Sequence, residues 1–175
     1  RGGGSESGGR TVPSVFPLQC YSQSGEELAA MTRRLAKRLS GKVQLTFLDG
    51  PQAVPSLFNP PQEGCAWWTV KEVFDAERAS SREWNYHGVA AALDAVRAAN
   101  ESDPHGGFEG VFGFSQGGAL ASLLCALAQS RPESAPLPRL RCAAFAGAFR
   151  FGAKEPDFSA ALAAPMQRPP TLPLI

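Results

Sequence analysis

Gly110-Val111-Phe112-Gly113-Phe114-Ser115-Gln116-Gly117-Gly118-Ala119-Leu120 is the stretch from which the rest of the chain can be read. Its first five residues are apolar or glycine and fit a short buried strand. Gln116 then opens a run with Leu120, Leu123, Leu124 and Leu127 at helical spacing. Between strand and helix there is room only for a very tight turn, and Ser115 sits on it. Gly113-Phe114-Ser115-Gln116-Gly117 fits the G-x-S-x-G pattern of a nucleophile elbow. At such a corner backbone passes close to backbone, so a Cβ at either glycine would collide with its neighbours. The turn would hold the serine strained, with Oγ aimed away from the sheet. The N–H of Gln116, in the first turn of a helix, has no intrahelical acceptor and faces the same space. It could hold a developing oxyanion with help from the helix dipole. The alternative is an ordinary serine at a strand-turn-helix corner.

Working outward from the corner, strands and helices alternate. Ser24-Gly25-Glu26-Glu27 reads as a capping box. Leu28, Met31, Leu35 and Leu39 follow it at helical spacing, with Arg33, Arg34, Lys37 and Arg38 on the wet side. Residues 43–48 read as a strand closed by Asp49-Gly50-Pro51. Residues 51–66 are proline-rich and read as a long irregular loop running into Trp67-Trp68, whose indoles are expected on a cleft edge or in the core. Short helix is expected in 70–78. A helix is expected over 85–100, started by Asn85, with Val89, Leu93 and Val96 on one face and His87 in its first turn. His105 falls in a polar turn. Residues 140–146 read as another buried strand, 158–162 as a short helix and 171–175 as the start of a strand. Pro13 and Pro17 interrupt an otherwise strand-like segment, so residues 11–19 are expected to form at most an edge strand. The Gly/Ser-rich residues 1–10 should be disordered. Alternation of this kind predicts an α/β fold with a mostly parallel sheet, helices on both faces, and ligands outside the C-terminal strand ends. Residues 1–17 read as an irregular lead-in and 18–175 as the domain.

Composition sets the outer limits. The chain has 175 residues, 43% hydrophobic and 19% charged, with a net charge of +1. That is enough for one domain with a core and offers no electrostatic case for nucleic acid or an anionic membrane surface. No apolar run reaches the length of a membrane span. Cys20, Cys65, Cys125 and Cys142 are scattered without metal-ligand spacing, which suits reduced thiols in the cytoplasm. No Walker A sequence, dinucleotide fingerprint or zinc motif occurs, so neither a metal nor a cofactor is expected. Asp75/Glu77 and Glu26/Glu27 read as surface carboxylates. The chain opens on Arg1, which suggests a piece of something longer.

With these residues in place, the sequence resembles the FSH-type serine hydrolases, the family of the ovarian-cancer-associated protein 2 esterases. The resemblance is carried by residues 108–120 above all. It is supported by Tyr21-Ser22-Gln23-Ser24 after the first strand, Phe47 to Pro51, Trp67-Trp68, Phe145-Ala146-Gly147 and Pro170-Thr171-Leu172-Pro173. It implies an α/β-hydrolase fold, incomplete here, and a small-molecule ester as substrate. Ser115 would attack a carboxylic or fatty-acyl ester, and the N–H groups of Gln116 and of Tyr21 (or its neighbour Cys20) would hold the oxyanion. Trp67 and Trp68 would be substrate-cleft candidates. The cytoplasm is the expected compartment, with the nucleus second. Two departures accompany the match. The family's Leu-His-Gly strand end is Leu18-Gln19-Cys20 here. Its acid and base follow the strand that Thr171 begins, so Asp157, His87 and His105 do not match them. A triad on the family's pattern is therefore not expected from these 175 residues. The competing expectations are a non-catalytic acyl-ligand binding module and a fragment without function.

Overall fold

The computed structural model describes residues 12–57, 60–73 and 83–149. The expected disorder of residues 1–10, the short helix at 158–162 and the strand at 171–175 lie outside the described residues.

Among the described residues the architecture is an α/β fold built on a four-stranded, all-parallel sheet. Its strands are β1 (Ser14–Leu18), β2 (Gln44–Leu45), β7 (Gly110–Phe114) and β8 (Cys142–Ala146), in the order β2-β1-β7-β8. Helices α1 (Gly25–Leu39), α2 (Val89–Ser102) and α3 (Gln116–Ser130) connect or cover them. Two antiparallel hairpins, β3 (Gln52–Pro55) with β4 (Glu63–Ala66) and β5 (Thr69–Val73) with β6 (Glu83–His87), fill the chain between β2 and α2.

The prolines do not demote β1 to an edge. It is a central strand, paired on one side with β2 and on the other with β7. In a parallel strand successive residues direct their N–H and C=O groups to alternate neighbours. Pro13 and Val15 offer their carbonyls to Gln44 and Thr46 on the β2 side, whereas Ser14 offers its own to Glu109 on the β7 side. By that alternation Pro17 also faces β2, where it has no N–H to give the Thr46 carbonyl, so only Gln44 and Leu45 are paired. The missing N–H ends the ladder to β2 but leaves the strand free to pair with β7 as far as Leu18. The same fact shortens the expected strand over 43–48 to two residues. The sheet therefore starts at Ser14, inside the expected lead-in.

Side chains on β1 alternate between the two faces. Phe16 and Leu18 point into the main core with α2, α3, Phe108, Val111 and Leu137. Phe16 stacks on Phe108 at 4.9 Å and meets the Trp67 ring edge-on at 6.0 Å. Val15 and Pro17 point the other way, onto a groove of about 310 Å³ shared with Leu35 and Leu39 of α1 and with Phe112 and Ala144. Helices thus lie on both faces.

Three further expectations are corrected. The proline-rich stretch is a hairpin rather than an irregular loop, with Val54 opposite Gly64. The segment from Thr69 is a strand, and its partner β6 occupies the expected first turn of the second helix. His87 is thus the last residue of a strand, and Gly88 at φ 95° makes the break from which α2 starts. Finally, β8 is not buried. Cys142, Phe145 and Ala144 are exposed along it, because it is the outermost strand of the sheet described.

Candidate active site

Order β2-β1-β7 means that the chain leaves β1 towards one side and later returns on the other. The crevice outside the C-terminal ends of β1 and β7 is the topological switch point, where open α/β sheets bind ligands. Ser115 follows directly on β7 at that end. The loop after β1, which carries Cys20, Tyr21 and Ser22, lies beside it.

The turn at Ser115 is strained. Its φ of 52° and ψ of −111° lie in a region that residues with a Cβ rarely enter, at a typical cost of ~1–3 kcal/mol. The surroundings over-determine it. The Ser115 N–H donates to the carbonyl of Ala146 on β8 (2.9 Å), and its carbonyl accepts the N–H of Ala119 in α3 (3.1 Å). The two flanking glycines are there for space. A Cβ on Gly113 would meet the backbone of Gly117 and, at 2.5 Å, that of Gly118. One on Gly117 would run into the Leu18 carbonyl and, at 2.6 Å, the Gln19 carbonyl. Oγ makes no capping bond to the helix that it precedes.

The first βα loop is shaped by side-chain bonds. The Cys20 N–H donates to Gln23 Oε1 (3.3 Å) within the loop. Ser22, at φ 69°, donates its hydroxyl to the Pro55 carbonyl (2.8 Å) and accepts the Leu57 N–H (2.6 Å). The β3–β4 hairpin is thereby fastened to this loop. Tyr21 is the exposed residue between them, at 39%. Asp49 Oδ1 accepts the Gly25 N–H (2.6 Å) at the start of α1, which gives this carboxylate a capping role.

Trp67 and Trp68 are not on a cleft edge. They are 1% and 0% exposed and belong to the core. The Trp67 indole N–H donates to the Gln19 carbonyl (3.1 Å), and the Trp68 ring meets Tyr86 edge-on at 5.8 Å. Gln116, itself 3% exposed, joins both tryptophans. Its Oε1 accepts the Trp67 main-chain N–H (2.9 Å), and its Nε2 donates to the Trp68 carbonyl (2.8 Å). The sequence singled out Gln116 for its backbone alone. The sequence signal for its side chain is a glutamine opening a mostly apolar helix.

The histidines fall elsewhere. His105 is in the turn before β7, where Asp103 accepts its N–H at 3.2 Å and also takes the Ser14 hydroxyl at 3.2 Å. That is the opposite end of the sheet from Ser115, a five-residue strand away, or roughly 16 Å. His87 is exposed at the end of β6, opposite Thr69. Among the described residues no hydrogen bond joins an imidazole to Ser115, and no group of histidine, cysteine and carboxylate side chains is placed to hold a metal ion. No helix among the described residues is long and apolar enough to cross a membrane. The thiols of Cys20, Cys65 and Cys125 are held above their ordinary value, chiefly by burial, and Cys125 is pushed up to about 11.

A parallel sheet with a strained serine between its switch-point strand and the following helix defines a chain of the α/β-hydrolase class. The crystal structure of Zea mays acyl-protein thioesterase 2 has the same fold, with a TM-score of 0.57 at 18% identity over 87% of this chain and 63% of that one. Residues 11–175 match the serine hydrolase (FSH1) family throughout, and the chain belongs to that family. It is 35% identical to the Esterase OVCA2 of Mus musculus over 142 residues, 74% of this chain and 62% of that protein. To the Homo sapiens Esterase OVCA2 it is 36% identical over 138 residues, 71% of this chain and 60% of that protein. The chain thus spans about three fifths of the length of these curated relatives.

Proposed function

We propose that Ser115 is the nucleophile of a serine esterase and that Gly113 to Gly117 form its nucleophile elbow. The observation that carries this is the left-handed Ser115 at the C-terminal end of β7, held by close-packed glycines, in a chain of the serine hydrolase family. Strain of this kind persists only where the surroundings hold it, and it clusters at functional sites. The relatives are esterases by name, and the substrate proposed here is a carboxylic or fatty-acyl ester.

In the reaction Ser115 Oγ attacks the ester carbonyl carbon as its proton passes to a base. The oxyanion that forms accepts hydrogen bonds from the main-chain N–H of Gln116 and of Tyr21. Cys20 is the poorer candidate for the second donor, because its N–H is already given to Gln23. Collapse of the intermediate expels the alcohol and leaves an acyl-serine, which water then cleaves. The positions of His87 and His105 do not favour either as the base, and the proposal assigns the triad histidine and aspartate to chain outside these 175 residues.

A fluorophosphonate probe tests the nucleophile. On the full-length protein it should label Ser115, and Ser115→Ala should abolish labelling. Labelling that survives the substitution, or none at all, would sink the assignment. Loss of a triad member lowers kcat by about 10⁴–10⁶. The 175-residue chain is accordingly expected to hydrolyse p-nitrophenyl esters little above background. Turnover by that chain that disappears in Ser115→Ala would place the base within it.

A further inference from the structure

Gln116 is a buried amide in the first turn of a helix whose neighbours are almost all apolar. Burying such a group without partners is costly, so its bonds must be accounted for. Both go to consecutive main-chain groups, the N–H of Trp67 and the carbonyl of Trp68. The carboxamide therefore acts as a short length of added strand, pinning this extended segment to the residue after Ser115. Trp67 has a second hydrogen-bonding group, its indole N–H, and that one reaches the Gln19 carbonyl. Gln19 is the first residue past β1, two positions before Tyr21. Trp67 thus holds the start of α3 with one N–H and the start of the first βα loop with the other.

We propose that Trp67 and Gln116 form a positioning brace that sets the spacing between the two oxyanion donors, the N–H groups of Gln116 and Tyr21. The inference rests on the reading of Ser115 as nucleophile. It assigns Trp67 a role other than lining the cleft. The direct contact between the two loops is a packing contact, with Gly117 against the Leu18 and Gln19 carbonyls. Packing limits how close the loops come. The brace, a directional pair of bonds from the main chain and the indole of Trp67, limits how far apart they drift. An oxyanion hole depends on donors fixed before the charge develops, and a misplacement of about 1 Å can cost roughly 10²-fold in rate. Neither Trp67 nor the Gln116 side chain need touch the substrate for this.

Two substitutions break the brace at different points. Trp67→Phe deletes the indole N–H and keeps an aromatic ring in the core. Gln116→Met keeps the length of the side chain and loses both of its bonds. On the full-length protein each should slow Ser115 labelling and lower kcat by about 10–100-fold with KM unchanged. The double substitution should cost little more than either alone, since both break one connection. Leu124→Ala, in the core of α3 and away from the brace, controls for stability. It should lower the melting temperature while the folded protein still labels at the parental rate. Hydrogen exchange gives a readout independent of chemistry. In Gln116→Met the amides of residues 66–68 and 19–21 should exchange faster, with distant helices unchanged. Parental labelling rates in folded Trp67→Phe and Gln116→Met would overturn the proposal, as would unaltered exchange at those amides. Absence of Ser115 labelling in the unsubstituted protein would instead remove the serine-hydrolase reading, and the positioning role with it. The exchange data would then still decide whether the bridge holds the two loops together.

Discussion

Helices α1 and α3 are both fifteen residues long, lie on opposite faces of one sheet, and are made for different reasons. α1 carries every local signal a helix can have. Ser24 accepts the Glu27 N–H at 3.1 Å, Glu27 returns a bond to the Ser24 N–H at 2.8 Å, acidic residues fill the first turn and basic ones the last. Yet only Gly25 and Leu28 are buried along it, and Met31 and Leu35 are 63% and 44% exposed. α3 has no side-chain cap and no charge in its terminal turns, but ten of its residues are buried. One helix is specified by its ends and its wet face, the other by what surrounds it. The candidate chemistry stands at the start of the second. This is physically reasonable, because a strained residue such as Ser115 persists only where dense packing holds it.

That contrast can be broken by substitution. Leu124→Ala on α3 should destabilise the chain by about 2–5 kcal/mol, since a fully buried side chain leaves a cavity. Equilibrium urea unfolding measures it, and a loss below about 1 kcal/mol would mean that α3 is not the packed helix described. pH comes next. The Cys125 thiol on α3 is pushed up to about 11, mainly by burial, so the folded chain keeps a proton that the unfolded chain gives up near 9. Stability should be fully present below that value and fall as pH rises towards 11, by up to about 1.4 kcal/mol per pH unit from this group. The Cys20 and Cys65 thiols are shifted in the same direction and add to the slope. Cys125→Ala should make the decline shallower, and an unchanged slope in urea melts between pH 8 and 10.5 would refute the assignment. On α1, Ser24→Ala should cost about 1 kcal/mol through the lost cap. Leu35→Ala in the 175-residue chain should cost less than about 1 kcal/mol, because much of its side chain is already wet. A Leu35→Ala cost equal to that of Leu124→Ala would erase the distinction between the faces.

Legibility followed the same division. The bounds of α3, the capping box of α1, the Val89-Leu93-Val96 face of α2 and the corner at Ser115 could all be read from spacing and punctuation. The hairpins could not. Pro55 at the end of β3 suggests a loop, and only the opposing Glu63 makes it a strand. The 83–87 segment fits a helix start until its pairing with Thr69–Val73 and the contact of Tyr86 with Trp68 are known. Pro17 argued against a central strand because no sequence pattern states which neighbour an N–H would have faced. Trp67 and Trp68 could have been cleft or core, and the bonds to Gln19 and Gln116 decided for core.

The sequence by itself determined the family, the α/β alternation and the turn at Ser115. Each depends on residues adjacent in the chain, where glycine spacing, caps and periodicity act directly. Tertiary structure alone decided that β1 is central, that the aromatic pair is buried, and that Gln116 and Trp67 bridge two loops. The first depends on strand pairings such as Ser14 with Gln44 and Val15 with Gly110, the others on side-chain-to-main-chain bonds across 48 or 49 positions of sequence, and partners so far apart have no local signature.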